Sequence, residues 1–90
     1  MHIIGEIPHP KFKITIFKMN HRIALKIEDS GLEQWYKFRD GTFDNGVSDL
    51  KESVNEKFIE HAVSIFTQMQ TNKVGLLSNN AEEDAFDDIT

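Results

Sequence analysis

Cysteine is absent from the ninety residues, which removes together a disulfide framework, a thiolate metal site and a cysteine nucleophile. Proline is scarce, and its two copies, Pro8 and Pro10, bracket His9, so a continuous strand or helix is precluded only at that point. No apolar run approaches the length of a membrane span, and the opening MHIIGEIPHP has neither the basic nor the apolar region of a signal peptide. The expectation is a cytoplasmic protein without membrane insertion. Also missing are a nucleophile elbow, a phosphate loop and an HExxH pattern, so the serines, acids and histidines present are not organised into a recognisable catalytic unit.

What is present is enough for one small core: 39% hydrophobic residues, with seven Phe, one Trp and one Tyr. The net charge of -5 is unevenly spread. Residues 1–27 hold five basic side chains (Lys11, Lys13, Lys18, Arg22, Lys26) against Glu6 alone, giving +4, and the remainder carries -9. Such a chain is not a general polycation that coats nucleic acid or anionic lipid without discrimination.

The segment KITIFKMNHRIALKI reads as a β-hairpin turning at Asn20-His21, with paired residue numbers summing to 41. That register sets Ile16 against Leu25 and Ile14 against Ile27 on one face, and Phe17 against Ala24 and Thr15 against Lys26 on the other. Ser30-Gly31 supplies a second tight turn, since glycine accepts the positive φ such turns need. Its pairs sum to 61, which adds Tyr36 and Phe38 to the apolar face and sets Trp35 beside Lys26. Three strands follow, at 12–19, 22–29 and 32–39, with HIIGEI as an optional fourth at the N-terminal edge.

After the turn-rich RDGTFDNGV, apolar residues recur at Val47, Leu50, Val54, Phe58, Ala62, Ile65, Phe66 and Met69, the spacing of one helical face. Ser53 and Glu56 have the spacing of a capping box, which predicts a short helix over 48–53 and a longer one over about 54–73. The fold class expected is α+β: a three-stranded antiparallel meander, with that optional edge strand, packed on one face by a C-terminal helix or helix pair. Residues 1–76 form this one domain, and 77–90 read as an acidic disordered tail. The inner face expected is Phe12, Ile14, Ile16, Ile23, Leu25, Ile27, Tyr36 and Phe38 against Leu50, Val54, Phe58, Ala62, Ile65 and Met69.

One helix covers one face, so the opposite face would leave Phe17 and Trp35 exposed and asks for a partner. The favoured reading is a non-enzymatic protein–protein interaction module, a homo-oligomer or a small accessory subunit of a larger assembly. Its candidate interface is Phe17, Lys26, Trp35, Lys37, Ile59 and Val63, the last two widening the helical stripe. The alternative is a nucleic-acid-binding sheet regulated by its acidic tail, with Lys13, Arg22, Lys26 and Lys37 on phosphates and Trp35 stacking a base. The bland reading is Trp35 packed locally on the stem of Lys26. No cofactor is expected, and His2, His9, His21 and His61 have no metal-ligand spacing. Asp40 and Asp44 bracket a turn that lacks the ligand alternation of a calcium loop.

The final EEDAFDDIT sets Phe86 and Ile89 among five carboxylates. It resembles the acidic, aromatic-bearing tails by which bacterial single-stranded-DNA-binding proteins recruit partners, although it covers nine residues and lacks their closing Pro-Phe. That resemblance implies a docking tail using Phe86 and Ile89. IPHPKFKITIFKMN followed by LEQWYKFRDG resembles a small conserved bacterial protein family of uncharacterised activity, which implies a stand-alone cytosolic protein.

Overall fold

Two-residue loops and alternating apolar residues build the sheet that the register demands. In the computed structural model, which describes residues 1–86 and side chains through Asn80, four strands lie in the order β1 (His2–Ile7), β2 (Lys13–Met19), β3 (Arg22–Asp29) and β4 (Leu32–Arg39), all antiparallel. Ile16 faces Leu25, Phe17 faces Ala24 and Trp35 sits opposite Lys26, as the sequence predicts. Ser30 and Gly31 both take positive φ, the turn conformation that follows the right-handed strand twist. HIIGEI does form the edge strand, with a register irregularity between Ile3 and Gly5. Gly5 lets the edge lie close to the first helix, since a Cβ would stand 3.3 Å from side-chain atoms of both Val47 and Lys51.

Between β1 and β2 the Pro8-His9-Pro10 segment is held by its histidine. His9 Nδ1 accepts hydrogen bonds from the backbone N–H groups of Lys11 and Phe12, and its ring stacks on Phe12 at 5.1 Å. His9 therefore shapes a turn. Among the described residues no group of three His, Cys, Asp or Glu side chains is arranged to hold a metal.

Helix α1 (Val47–Ser53) is anchored by buried Leu50, and Asp49 accepts hydrogen bonds from the backbone and side chain of Asn45, which hold its carboxyl below the usual carboxylate range. The second helix, α2 (Glu56–Phe86), starts at Asn55: the Asn55 side-chain oxygen accepts the Phe58 N–H at 2.9 Å. That corrects the capping box expected at Ser53, whose hydroxyl instead bonds the Asp49 carbonyl inside α1. Asn55 takes the cap because α1 ends at Val54 and α2 begins at Glu56, which leaves Asn55 as the residue immediately before the second helix.

The inner core is Phe12, Ile14, Ile16, Leu25, Ile27, Leu50, Ala62 and Phe66, with Ile23, Tyr36, Phe38, Val54, Phe58 and Met69 packed around it. Ile65 departs from expectation. It is 40% exposed while its neighbour Phe66 points inward, because α2 runs beneath β4 with Ala62 and Phe66 toward the sheet, placing Ile65 about one quarter turn away.

The long helix also extends beyond the expected end at about residue 73. Helix α2 runs through it to Phe86, since one Gly in a helix interior costs only about 1 kcal/mol relative to Ala and no Pro follows Gly75. Its 31 residues make a rod of about 46 Å, against about 27 Å for the eight-residue β4. The long axis of the molecule is accordingly 57 Å and its radius of gyration 17.4 Å, where a compact chain of this length gives about 12 Å.

Candidate interaction site

The outer face of the sheet gathers Phe17, Lys26, Trp35 and Lys37, as the register predicts. Phe17 on β2 and Trp35 on β4 flank the central strand diagonally, and the small residue between them, Ala24, lets the two rings close over it. Their centroids are 5.5 Å apart with planes 22° from parallel, and Ala24 is fully buried although it faces away from the helices. Phe17 is consequently only 9% exposed, which corrects its expected role as a bare interface aromatic; Trp35 keeps 39%.

Lys26 lies over both rings, its Nζ 5.2 Å from the Phe17 centroid and 5.4 Å from that of Trp35. The same ammonium stands 3.1 Å from Glu28 Oε2, a close ion contact rather than an aligned hydrogen bond. Trp35 donates its indole N–H to Glu33 Oε1 at 2.8 Å. The cluster thus meets most of its own polar and aromatic requirements inside one chain, and such cation–π contacts contribute about 0.5 to 2 kcal/mol each as they lose water. Beneath it Thr15 is buried with a hydroxyl that has no hydrogen-bond partner among the described residues. Thr15→Val, which removes that desolvated group at constant shape, is expected to raise the unfolding free energy by roughly 1 kcal/mol in a urea titration.

Lys13, Lys37, Arg22 and Arg39 are exposed on this face, but Arg22 and Arg39 stand opposite each other at one end and Lys13 is opposite Glu28 at the other. Glu6, Glu28 and Glu33 interrupt the basic surface.

The helical candidates do not join this cluster. Ile59 is partly buried against the core and lines a cleft of about 550 Å³ with Ile7, His9 and Val54. Val63 is exposed and lines a second cleft, about 500 Å³, with Phe12, Leu32 and Phe66, whose titratable groups are Lys11, Asp29 and Lys73. In the second cleft the Ser30 hydroxyl donates to Asp29 Oδ1 at 3.0 Å, an exposed contact between neighbours at the β3–β4 turn. Of the expected docking tail, Phe86 is described only as the last residue of α2, and Ile89 lies outside the described residues.

A surface that the sequence reading missed is the far part of α2. Lys73 reaches the β3–β4 turn, its Nζ standing 3.2 Å from where a Cβ on Gly31 would be. Beyond it the helix runs on for about 20 Å to Phe86. There Val74, Leu76 and Leu77 are exposed, the last two at 65% and 67%. Leu76 and Leu77 straddle the line of Ala62, Phe66 and Met69 along the helix, so the core-facing stripe continues past the end of the core. The signal available in the sequence was that stripe, taken to stop at Gly75.

No helix among the described residues is long and apolar enough to cross a membrane. No protein-family model matches this chain, and no curated protein or solved structure matches it either.

Proposed function

We propose that this chain is a non-enzymatic protein–protein interaction module, an accessory subunit that offers the projecting half of α2 to an apolar, basic-rimmed groove on another protein. The observation that carries the reading is the exposure of Val74, Leu76 and Leu77 on helix that has left its own sheet. Burying a leucine is worth about 1.5 to 3 kcal/mol, so a helix seated in a groove has strong anchors at these positions. The acids that follow in the sequence, Glu82, Glu83, Asp84, Asp87 and Asp88, give the partner's rim its expected sign.

Nucleic-acid binding asks for a free aromatic face beside uncompensated ammonium groups. Here Phe17 stacks on Trp35 and Glu28 holds Lys26, so the arrangement favours a protein partner.

The test compares pull-downs from the native host for the wild type, Leu76→Glu/Leu77→Glu and Trp35→Ala, with captured proteins rebound in purified form. A partner kept by Trp35→Ala and weakened at least about 100-fold by the double leucine variant is the expected result. A partner lost only with Trp35, or one sensitive to nuclease, overturns the assignment to the helix.

A further inference from the structure

The two edges of the sheet are built differently. β1 is irregular between Ile3 and Gly5, and a bulged edge is a poor template for another strand. β4 is eight residues long, contains no Pro or Gly, and pairs with β3 without a break from Leu32 to Arg39. The tight Ser30-Gly31 turn makes Asp29 and Leu32 a hydrogen-bonded pair, so alternation turns the backbone groups of Glu33, Trp35 and Lys37 outward. Among the described residues no backbone hydrogen bond beyond the sheet reaches these three residues. The next outward residue, Arg39, has its carbonyl already engaged by the N–H and hydroxyl of Thr42, at 3.2 and 2.6 Å.

We infer that β4 is the pairing edge of a two-fold symmetric dimer, in which β4 meets β4 of a second copy antiparallel and the two sheets become one of eight strands. The inference goes beyond the function proposed above, because it concerns a different surface and a different occupant. Its basis is self-complementarity. An antiparallel pairing of β4 with itself must bring outward residues opposite outward residues, so paired numbers sum to an even value. A sum of 70 sets Trp35 against its own copy and Glu33 against Lys37 of the copy on both sides of it. A sum of 74 would oppose two Lys37 side chains, and 66 would oppose two Glu33 side chains, which like-charge repulsion disfavours. A sum of 68 would set Glu33 against Trp35 and Lys37 against Gly31 of the turn, with no opposite-charge pair, and 72 would use the Arg39 carbonyl that Thr42 holds.

The register of 70 makes six backbone hydrogen bonds from groups that now face solvent. It also covers the exposed part of Trp35 with a second indole, while Glu33, bonded to its own Trp35 through one oxygen, keeps the other for Lys37 of the copy. On the helical side, α2 follows β4 in the opposite direction: Phe58 meets Tyr36, Ala62 bonds Gln34, and Lys73 reaches Gly31. Two copies of α2 would therefore lie antiparallel under the joined strands. Val63, Thr67 and Gln70 face Lys11 and Phe12 on one flank of the helix. Ile65 and Met69 are on the other flank, the side of the proposed partner, which accounts for the exposure of Ile65. The projecting halves would leave at opposite ends, giving a bivalent particle.

Sedimentation equilibrium on the full chain, with concentrations carried to about 1 mM so that even weak self-association is populated, is expected to show a monomer–dimer equilibrium. Lys37→Glu and Glu33→Lys, each alone, lose two cross-strand pairs at once and should weaken the dimer about tenfold or more. Mixed in equal amounts, the two variants regain opposite charges at both positions and should form a one-to-one dimer of wild-type strength. The Trp35 amide should exchange more slowly with deuterium as concentration rises. A wild-type chain that stays monomeric overturns the proposal and leaves the edge to a foreign strand or to none. Single variants that dimerise like the wild type, or a mixture that fails to recover, overturn the register.

Discussion

Phe66→Ala is expected to lower the free energy of unfolding by about 3 to 5 kcal/mol, measured by urea denaturation with Trp35 fluorescence and circular dichroism as independent probes. Phe66 is buried, its ring 5.4 Å from Phe12, and with Ala62 it is one of the two buried residues that α2 contributes to the core among the described residues. A small domain has about 5 to 15 kcal/mol to lose, so this single truncation removes a large fraction of the total. The comparison variants locate the effect. Phe58→Ala, at a half-buried ring that meets Tyr36 edge-on at 5.6 Å, should cost distinctly less, and Ile65→Ala, on the exposed flank, should change little in the monomer. If Ile65→Ala proves as costly as Phe66→Ala, the helical phase described above is wrong.

That phase marks where the sequence stopped being legible. The sheet could be read almost residue by residue, because two-residue loops at Asn20-His21 and Ser30-Gly31 fix both register and parity, and a slip by one would turn Ile14, Ile16, Leu25 and Ile27 out of the core. The helix has no comparable lock. Phe58, Ile59, Ala62, Val63, Ile65, Phe66 and Met69 form a stripe wider than the contact they serve, and which edge of it turns inward is settled only by the tilt of α2 under β4.

The same limit applies to the outer face. Register alone brought Trp35 beside Lys26, but the burial of Phe17 depends on a diagonal contact across β3 that exists because residue 24 is alanine. A larger side chain there would hold the rings apart and leave the bare aromatic face that the sequence suggests. The continuation of α2 past Gly75 was hidden for a further reason: intrinsic propensity is weak, and an isolated glycine followed by Leu76-Leu77 is compatible with either a stop or a helix.

Gln34 was the one polar residue at an inward position of β4, and its replacement carries the second large effect. It is 6% exposed between sheet and helix, where its Nε2–H donates to the Ala62 carbonyl at 2.9 Å and its Oε1 accepts the Tyr36 hydroxyl at 2.6 Å. Burial raises the phenol of Tyr36 above its ordinary pKa, so the hydroxyl remains a donor at neutral pH. Gln34→Leu removes both bonds and strands the Tyr36 hydroxyl at the rim of the core, for an expected loss of about 1 to 3 kcal/mol. Tyr36→Phe alone strands Gln34 Oε1 and should cost about 1 kcal/mol. The double variant, with both polar partners gone, should be more stable than the sum of the singles by about 1 kcal/mol or more in a double-mutant cycle. Additive losses would mean that Tyr36 and Gln34 each bond water instead of one another. A loss for Gln34→Leu that persists in the Tyr36→Phe background would be the share of the bond to the Ala62 carbonyl, the polar pin that sets α2 along β4 and with it the direction in which the projecting helix leaves the sheet.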